Sequence, residues 1–272
     1  MTSGTAATGT AMTGAHTVDG SAATATAVEL DGVGLDIGGA RILHDVSLTI
    51  GRGEFVAVIG PNGAGKTTLF NVISGVVRPT IGRLLIDGAD ATHSPIARRA
   101  RSGLGRTFQS SSLFDQLTVL ENVRLAAQVP LGSTASLVRF PRAGDAATEA
   151  AREHLAAVGL SHRAGRKAGA LAHGEKRKVE IAMVLAAQPS VVLLDEPMAG
   201  VASADVPELT ELIRRLHHSG RTVVMVEHHM DVVLGLAERV AVMHHGELLA
   251  FDAPDAVMAD PVVQAAYLGE PL

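Results

Sequence analysis

The sequence contains no cysteine and no tryptophan, a single tyrosine, and aromatics at only 3% of residues. Without cysteine there is no disulfide framework and no thiolate metal centre, and the chain suits a reducing compartment. With so few aromatics, a core must be built from Val, Leu, Ile and Ala, which the 47% apolar content supplies. Basic excess is also missing. The formal net charge is -5, so no broad positive field exists to hold a nucleic-acid backbone, and no nucleic-acid partner is expected. Long apolar runs are absent as well. None reaches the roughly 18 residues a membrane-spanning helix needs, and Val191–Leu194 or Val223–Val226 reads as a buried strand.

The first 27 residues are mostly Ala, Thr, Gly and Ser with no Lys or Arg. They lack the basic start and apolar middle of a secretory signal, and they can bury too little to offset their ordering entropy. A disordered tail over 1–27 is expected, with order beginning near Val28. From there Val28–Leu35 suggests an edge strand, and Glu54–Ile59 a strand buried on both faces. A glycine-rich loop at 60–65 leads into a helix ending near Ser74. Thr118–Glu121 has capping-box form and opens a helix through Gln128. A further helix ends near Val158. The last third alternates strands at 191–195, 222–227 and 240–243 with helices at about 203–218 and up to Glu238. Such alternation predicts a parallel sheet with helical crossovers.

Chemistry concentrates in two places. Gly60-Pro61-Asn62-Gly63-Ala64-Gly65-Lys66-Thr67-Thr68 satisfies the G-x-x-x-x-G-K-[ST] phosphate loop, between a buried strand and a helix. Backbone N–H groups in such a loop converge on phosphate oxygens at the helix start. Lys66 supplies a point charge for the terminal phosphates, and Thr67 a hydroxyl for Mg²⁺. The second place is Val191-Val192-Leu193-Leu194-Asp195-Glu196. A parallel strand ending in two carboxylates sets them where ligands collect, with Asp195 suited to hold Mg²⁺ and Glu196 to polarise the attacking water. Paired histidines at 217–218, 228–229 and 244–245 point in different directions and have no third ligand arranged with them, so no metal site is expected there.

The order of phosphate loop, Gln109, Leu171-Ala172-His173-Gly174-Glu175, Asp195-Glu196 and Glu227-His228 resembles the ABC transporter ATPase family. The resemblance implies an α/β fold with a P-loop NTPase core, an antiparallel β edge subdomain and an inserted helical subdomain at about 90–185, together forming one domain over 28–272. It implies ATP and Mg²⁺ as ligands. Gln109 then senses Mg²⁺ and couples to the membrane subunit, and His228 contacts the γ-phosphate. Residues Ala172, His173, Gly174 and Glu175 form the signature presented to the nucleotide of an opposed protomer. The signature departs from Leu-Ser-Gly-Gly-Gln at Ala172, His173 and Glu175, and a carboxylate at 175 repels phosphate unless it points away. The adenine-stacking aromatic is replaced, Ile37 being the best match, and Gly200-Val201-Ala202-Ser203 replaces the usual loop carrying Leu-Asp or Leu-Asn.

Gly105–Gln109, Leu117–Val123, Glu227–Asp231 and the ending Asp260–Glu270 are similar to the branched-chain amino-acid importer subset, a pattern shared by urea and short-amide importers. The resemblance implies integral-membrane permease partners, a second ATP-binding subunit (identical or related), an extracytoplasmic solute-binding protein acting indirectly, and a peripheral place on the cytoplasmic face of the plasma membrane. The rival readings are a soluble ABC ATPase without transport and a catalytically weakened nucleotide-binding regulatory module.

Overall fold

The computed structural model describes residues 25–107, 112–131 and 145–268. Two sheets and a helical layer make up the molecule. β1 (Thr26–Ile37), β2 (Ala40–Gly51), β4 (Ile81–Ile86) and β5 (Ala89–Asp90) form an antiparallel sheet in the order β2-β1-β4-β5. The second sheet runs β10-β9-β3-β8-β7-β6. It comprises β3 (Phe55–Ile59), β6 (Leu104–Arg106), β7 (Val191–Asp195), β8 (Thr222–Val226), β9 (Arg239–His244) and β10 (Glu247–Asp252). All its pairings are parallel except β9 with β10.

The central strands β3, β7 and β8 are buried at every position. Their pleat explains why. Val192, Leu194, Val223 and Met225 join one apolar cluster with the helices α3 (Val119–Ala127), α4 (Ala146–Ala157) and α5 (His173–Ala186). Val191, Leu193, Val224 and Val226 join another with the antiparallel sheet and α1 (Lys66–Ser74). A strand covered on both faces has no polar face to show, so the alternation of an antiparallel surface strand disappears.

Helix ends follow from local chemistry. Thr118 accepts from the Glu121 N–H at 3.1 Å, while Glu121 accepts from the Thr118 N–H at 2.7 Å, so the expected capping box opens α3. Asp145 caps α4 through the Thr148 N–H. The last carbonyls of α1 go to Arg99, on α2 (Ile96–Arg101). Its Nη1 donates to the carbonyls of Val72 and Ile73, both at 2.6 Å, and Nε to that of Ser94. Arg99 is 1% exposed, and burial lowers its pKa to about 10.

Several sequence expectations need correction. β1 is not an edge strand; it lies between β2 and β4. It starts at Thr26, inside the stretch expected to be a tail, whose first 24 residues lie outside the described ones. The span 90–185, expected to be mainly helical, also contains β6, a strand of the parallel sheet, and its first helix α2 packs against α1. The antiparallel β10 and the closing helices α8 (Pro254–Ala259) and α9 (Pro261–Leu268) were not foreseen. Helix α6 (Val206–His218) begins three residues later than expected, and a short α7 (Met230–Leu236) precedes β9.

Candidate functional site

The parallel register aligns Val58 of β3 with Val226 of β8, and Val226 with Asp195 of β7. The phosphate loop, the Asp195-Glu196 pair and the Glu227-His228 pair therefore leave the same edge of the sheet, where ligands of open α/β sheets bind. The loop can lie this close only because it is glycine-rich. A Cβ on Gly60 would stand 2.1 Å from the Met243 carbonyl oxygen, and Gly65 adopts φ 97° as the residue preceding α1.

Gly65 offers no side-chain cap, and the first turn of α1 holds no acidic residue. The helix start thus presents backbone N–H groups and positive dipole to an anion. Lys66 is 6% exposed and folds across the loop, its Nζ donating to the carbonyls of Gly60 at 2.7 Å and Pro61 at 2.9 Å. Burial lowers the Lys66 pKa, and the Glu196 charge partly restores it. A buried cation beside an uncapped helix start is suited to a polyphosphate.

Asp195 is buried at the end of β7. Its Oδ2 pairs with Arg106 Nη2 at 2.8 Å, and its N–H donates to the Thr107 hydroxyl at 3.2 Å. Its Oδ1 is buried and has no hydrogen-bond partner among the described residues. A buried orphan carboxylate oxygen is costly unless something fills it, and with the Thr67 hydroxyl it is the oxygen donor type that a hard divalent cation takes. Glu196 sits at φ 46°, a left-handed conformation uncommon for residues other than glycine, and its N–H donates to the Val226 carbonyl at 3.0 Å. Its Oε1 lies 3.1 Å from His228 Nε2, a contact between two site residues that the sequence reading had not paired.

Residues 108–111, Gln109 among them, lie outside the described residues. Both flanks of that segment are anchored. The Thr107 N–H donates to the Leu193 carbonyl, and the Ser112 N–H donates to Glu180 on α5 at 3.2 Å. Ile37 sits 53% exposed at the end of β1, beside the Gly38-Gly39 turn. The strand β2 runs against the phosphate loop, where a Cβ on Gly65 would be 3.1 Å from Leu43 Cδ2.

Ala172 precedes the first turn of α5, so His173 and Gly174 do occupy a helix start. Glu175 turns back from it, accepting from the Ala172 N–H at 3.2 Å and pairing with Arg163 at 2.7 Å. Burial raises its pKa, but the Ala172 N–H and the Arg163 guanidinium outweigh that and leave it below the ordinary carboxylate value. The carboxylate therefore stays at the start of α5, where the Ala172 N–H and the Arg163 guanidinium engage it.

Two residues took no role in the sequence reading. Arg106 grips Asp195, and Glu227, 2% exposed, gathers the N–H groups of Met198, His228 and His229. Glu227 thereby links the turn after Glu196 to the turn carrying His228.

The model of the ABC transporter family matches residues 43–199. The chain belongs to the ABC transporter family of ATP-binding cassettes. A second model, of the branched-chain amino acid ATP-binding cassette transporter, matches residues 247–271. The chain is 38% identical over 249 residues to the Escherichia coli K12 high-affinity branched-chain amino acid transport ATP-binding protein LivG, covering 89% of this chain and 98% of that protein. It is 36% identical over 249 residues to BraF of Pseudomonas aeruginosa, described in the same words, with the same coverage. A solved ATP-binding cassette of an ABC transporter in its ADP conformation superposes with TM-score 0.79 at 31% identity, covering 90% of this chain and 99% of that one. As a member of this family the chain is a nucleotide-binding ATPase, and cassettes of its kind dimerise and work with membrane permeases. Among its described residues, no helix is long and apolar enough to cross a membrane.

Proposed function

We propose that this cassette energises import of branched-chain amino acids or a similar small polar solute through permease subunits, from the cytoplasmic face of the plasma membrane. The observation that carries the catalytic part is the shared sheet edge where buried Lys66, the orphan Oδ1 of Asp195 and the Glu196–His228 pair meet. The cargo rests on the subfamily match at 247–271 and on what the relatives' names state of them.

In this reading the backbone N–H groups of Asn62–Thr68 and the Lys66 ammonium take the β- and γ-phosphates of ATP, held in the loop Gly60–Thr68. Thr67, Asp195 and Gln109 would hold Mg²⁺, which supplies charge neutralisation of the developing phosphate oxygens. Glu196 polarises the attacking water, and His228 orients Glu196 while facing the γ-phosphate. Ile37 gives adenine an apolar contact without stacking. Ala172–Glu175 close the site of a second cassette, identical or related, in a head-to-tail dimer. One nucleotide-binding domain over 28–272 would include a helical subdomain within 90–185 that passes dimer closure to the permease, and a solute-binding protein would act through that permease. The weakened-module reading loses one of its motives, since Glu175 is engaged with Arg163.

The test is ATP turnover by the purified cassette. Glu196→Gln should keep nucleotide binding and accumulate an ATP-bound dimer, while hydrolysis falls by about 10²- to 10⁴-fold. If wild type and variant both bind ATP and neither turns over, the catalytic reading fails.

A further inference from the structure

Arg106 is the feature the catalytic reading leaves unexplained. Its side chain is 6% exposed, and one guanidinium joins three elements. Nη1 donates to Asn71 Oδ1 at 2.9 Å and to Ser74 Oγ at 2.6 Å, both on α1. Nη2 donates to Asp195 Oδ2 at 2.8 Å, on β7, and the cationic carbon lies 5.8 Å from the centre of the Phe70 ring. Arg106 itself closes β6, paired with Leu193. A carboxylate as buried as Asp195 costs several kcal/mol unless a charge partner compensates it.

We propose that Arg106 is the positioning residue for the metal step. By occupying Oδ2 of Asp195 and bolting it to α1, it fixes the carboxylate so that Oδ1 is the oxygen offered to Mg²⁺. The proposal rests on the metal-binding reading above. Two effects compete. The guanidinium charge subtracts from the attraction of Asp195 for a cation, whereas fixed orientation adds to it. Outer partners that orient a metal-ligating group typically raise affinity by about 10- to 100-fold, so orientation should win. The planar fork matters, because a lysine ammonium on a flexible stem cannot hold Asn71, Ser74 and Asp195 in one plane.

The experiment measures a fluorescent ATP analogue binding to the intact chain, first in EDTA and then against increasing Mg²⁺. Arg106→Met should leave metal-free nucleotide affinity within about twofold and raise the Mg²⁺ concentration for half-maximal effect by about tenfold or more. Arg106→Lys should recover part of that loss. If Arg106→Met fails to fold, the Asn71→Ala/Ser74→Ala double variant removes only the α1 anchors and should raise the Mg²⁺ requirement by a smaller factor. An unchanged or lower Mg²⁺ requirement would overturn the proposal, as would a parallel loss with and without metal, which marks a merely structural residue. Wild-type binding indifferent to Mg²⁺ would instead overturn the metal-binding reading beneath it.

Discussion

The nucleotide core and the helices α3–α5 finish their helix ends in opposite ways. In the core, α1 starts at a glycine without a side-chain cap and is secured at its other end by the Arg99 guanidinium. In the helical layer, α3 and α4 are closed at their starts by Thr118 with Glu121 and by Asp145. The signature helix α5 falls between these cases: Glu175 reaches back to the Ala172 N–H, but Ala172 has no oxygen to return the bond. A missing cap alone is not a ligand signal, since α6 also lacks a side-chain cap bond. It becomes one where the helix follows a glycine loop and a buried cation lies beside it.

The sharpest way to break the comparison is at Lys66. Lys66→Ala should weaken ATP binding by about 10- to 100-fold, the worth of a charge-assisted bond to phosphate, with thermal stability retained. Equilibrium titration with a fluorescent nucleotide and a melting curve check both halves. The opposite end of α1 should behave in reverse. Arg99→Met leaves the Ile73 carbonyl buried without its Arg99 donor, the Val72 carbonyl keeping only the Gly75 N–H, so unfolding free energy should drop by about 2–3 kcal/mol. Denaturant titration measures it, and a loss under about 0.5 kcal/mol would deny Arg99 its role as the anchor of α1.

Caps in the helical layer carry smaller, pH-sensitive effects. Asp145→Ala should destabilise by about 1 kcal/mol, read as faster amide exchange confined to α3–α5. The Thr148 side chain close by, then the Arg124 guanidinium, hold the Asp145 carboxyl well below the usual carboxylate range. Glu121 is held low by the Thr118 N–H and then its hydroxyl. Carboxylates lowered on folding contribute stability that is present above their unfolded values near 4 and is lost as pH falls through their folded values. Acidification below about pH 4 should therefore loosen α3–α5 before α1, because the anchor of α1 is an arginine that stays charged there. Exchange mapped at pH 6 and pH 3 decides it; simultaneous loosening would remove the contrast.

The parts of the fold readable from sequence were those whose pattern is local. Gly60–Thr68, the apolar strand ending in Asp195 and the Thr118–Glu121 box each satisfy their own geometry within a few residues. The three-residue strand β6 was hidden because Leu104–Arg106 has no period long enough to read, and its partner β7 is distant in sequence. β1 was misplaced to an edge because its second neighbour, β4, also lies far along the chain. Arg106 and Glu227 escaped for a related reason: a buried charge declares itself only through partners the chain brings from elsewhere.

The most direct measurement is a crystal structure of the Glu196→Gln variant with Mg·ATP. Lys66 Nζ should leave the Gly60 carbonyl, now 2.7 Å away, for the phosphate oxygens. The metal should sit between Thr67 and Oδ1 of Asp195, with the substituted amide at position 196 facing the γ-phosphate. A nucleotide bound elsewhere, or phosphates that leave Lys66 on its carbonyls and Asp195 without metal contact, would contradict the account.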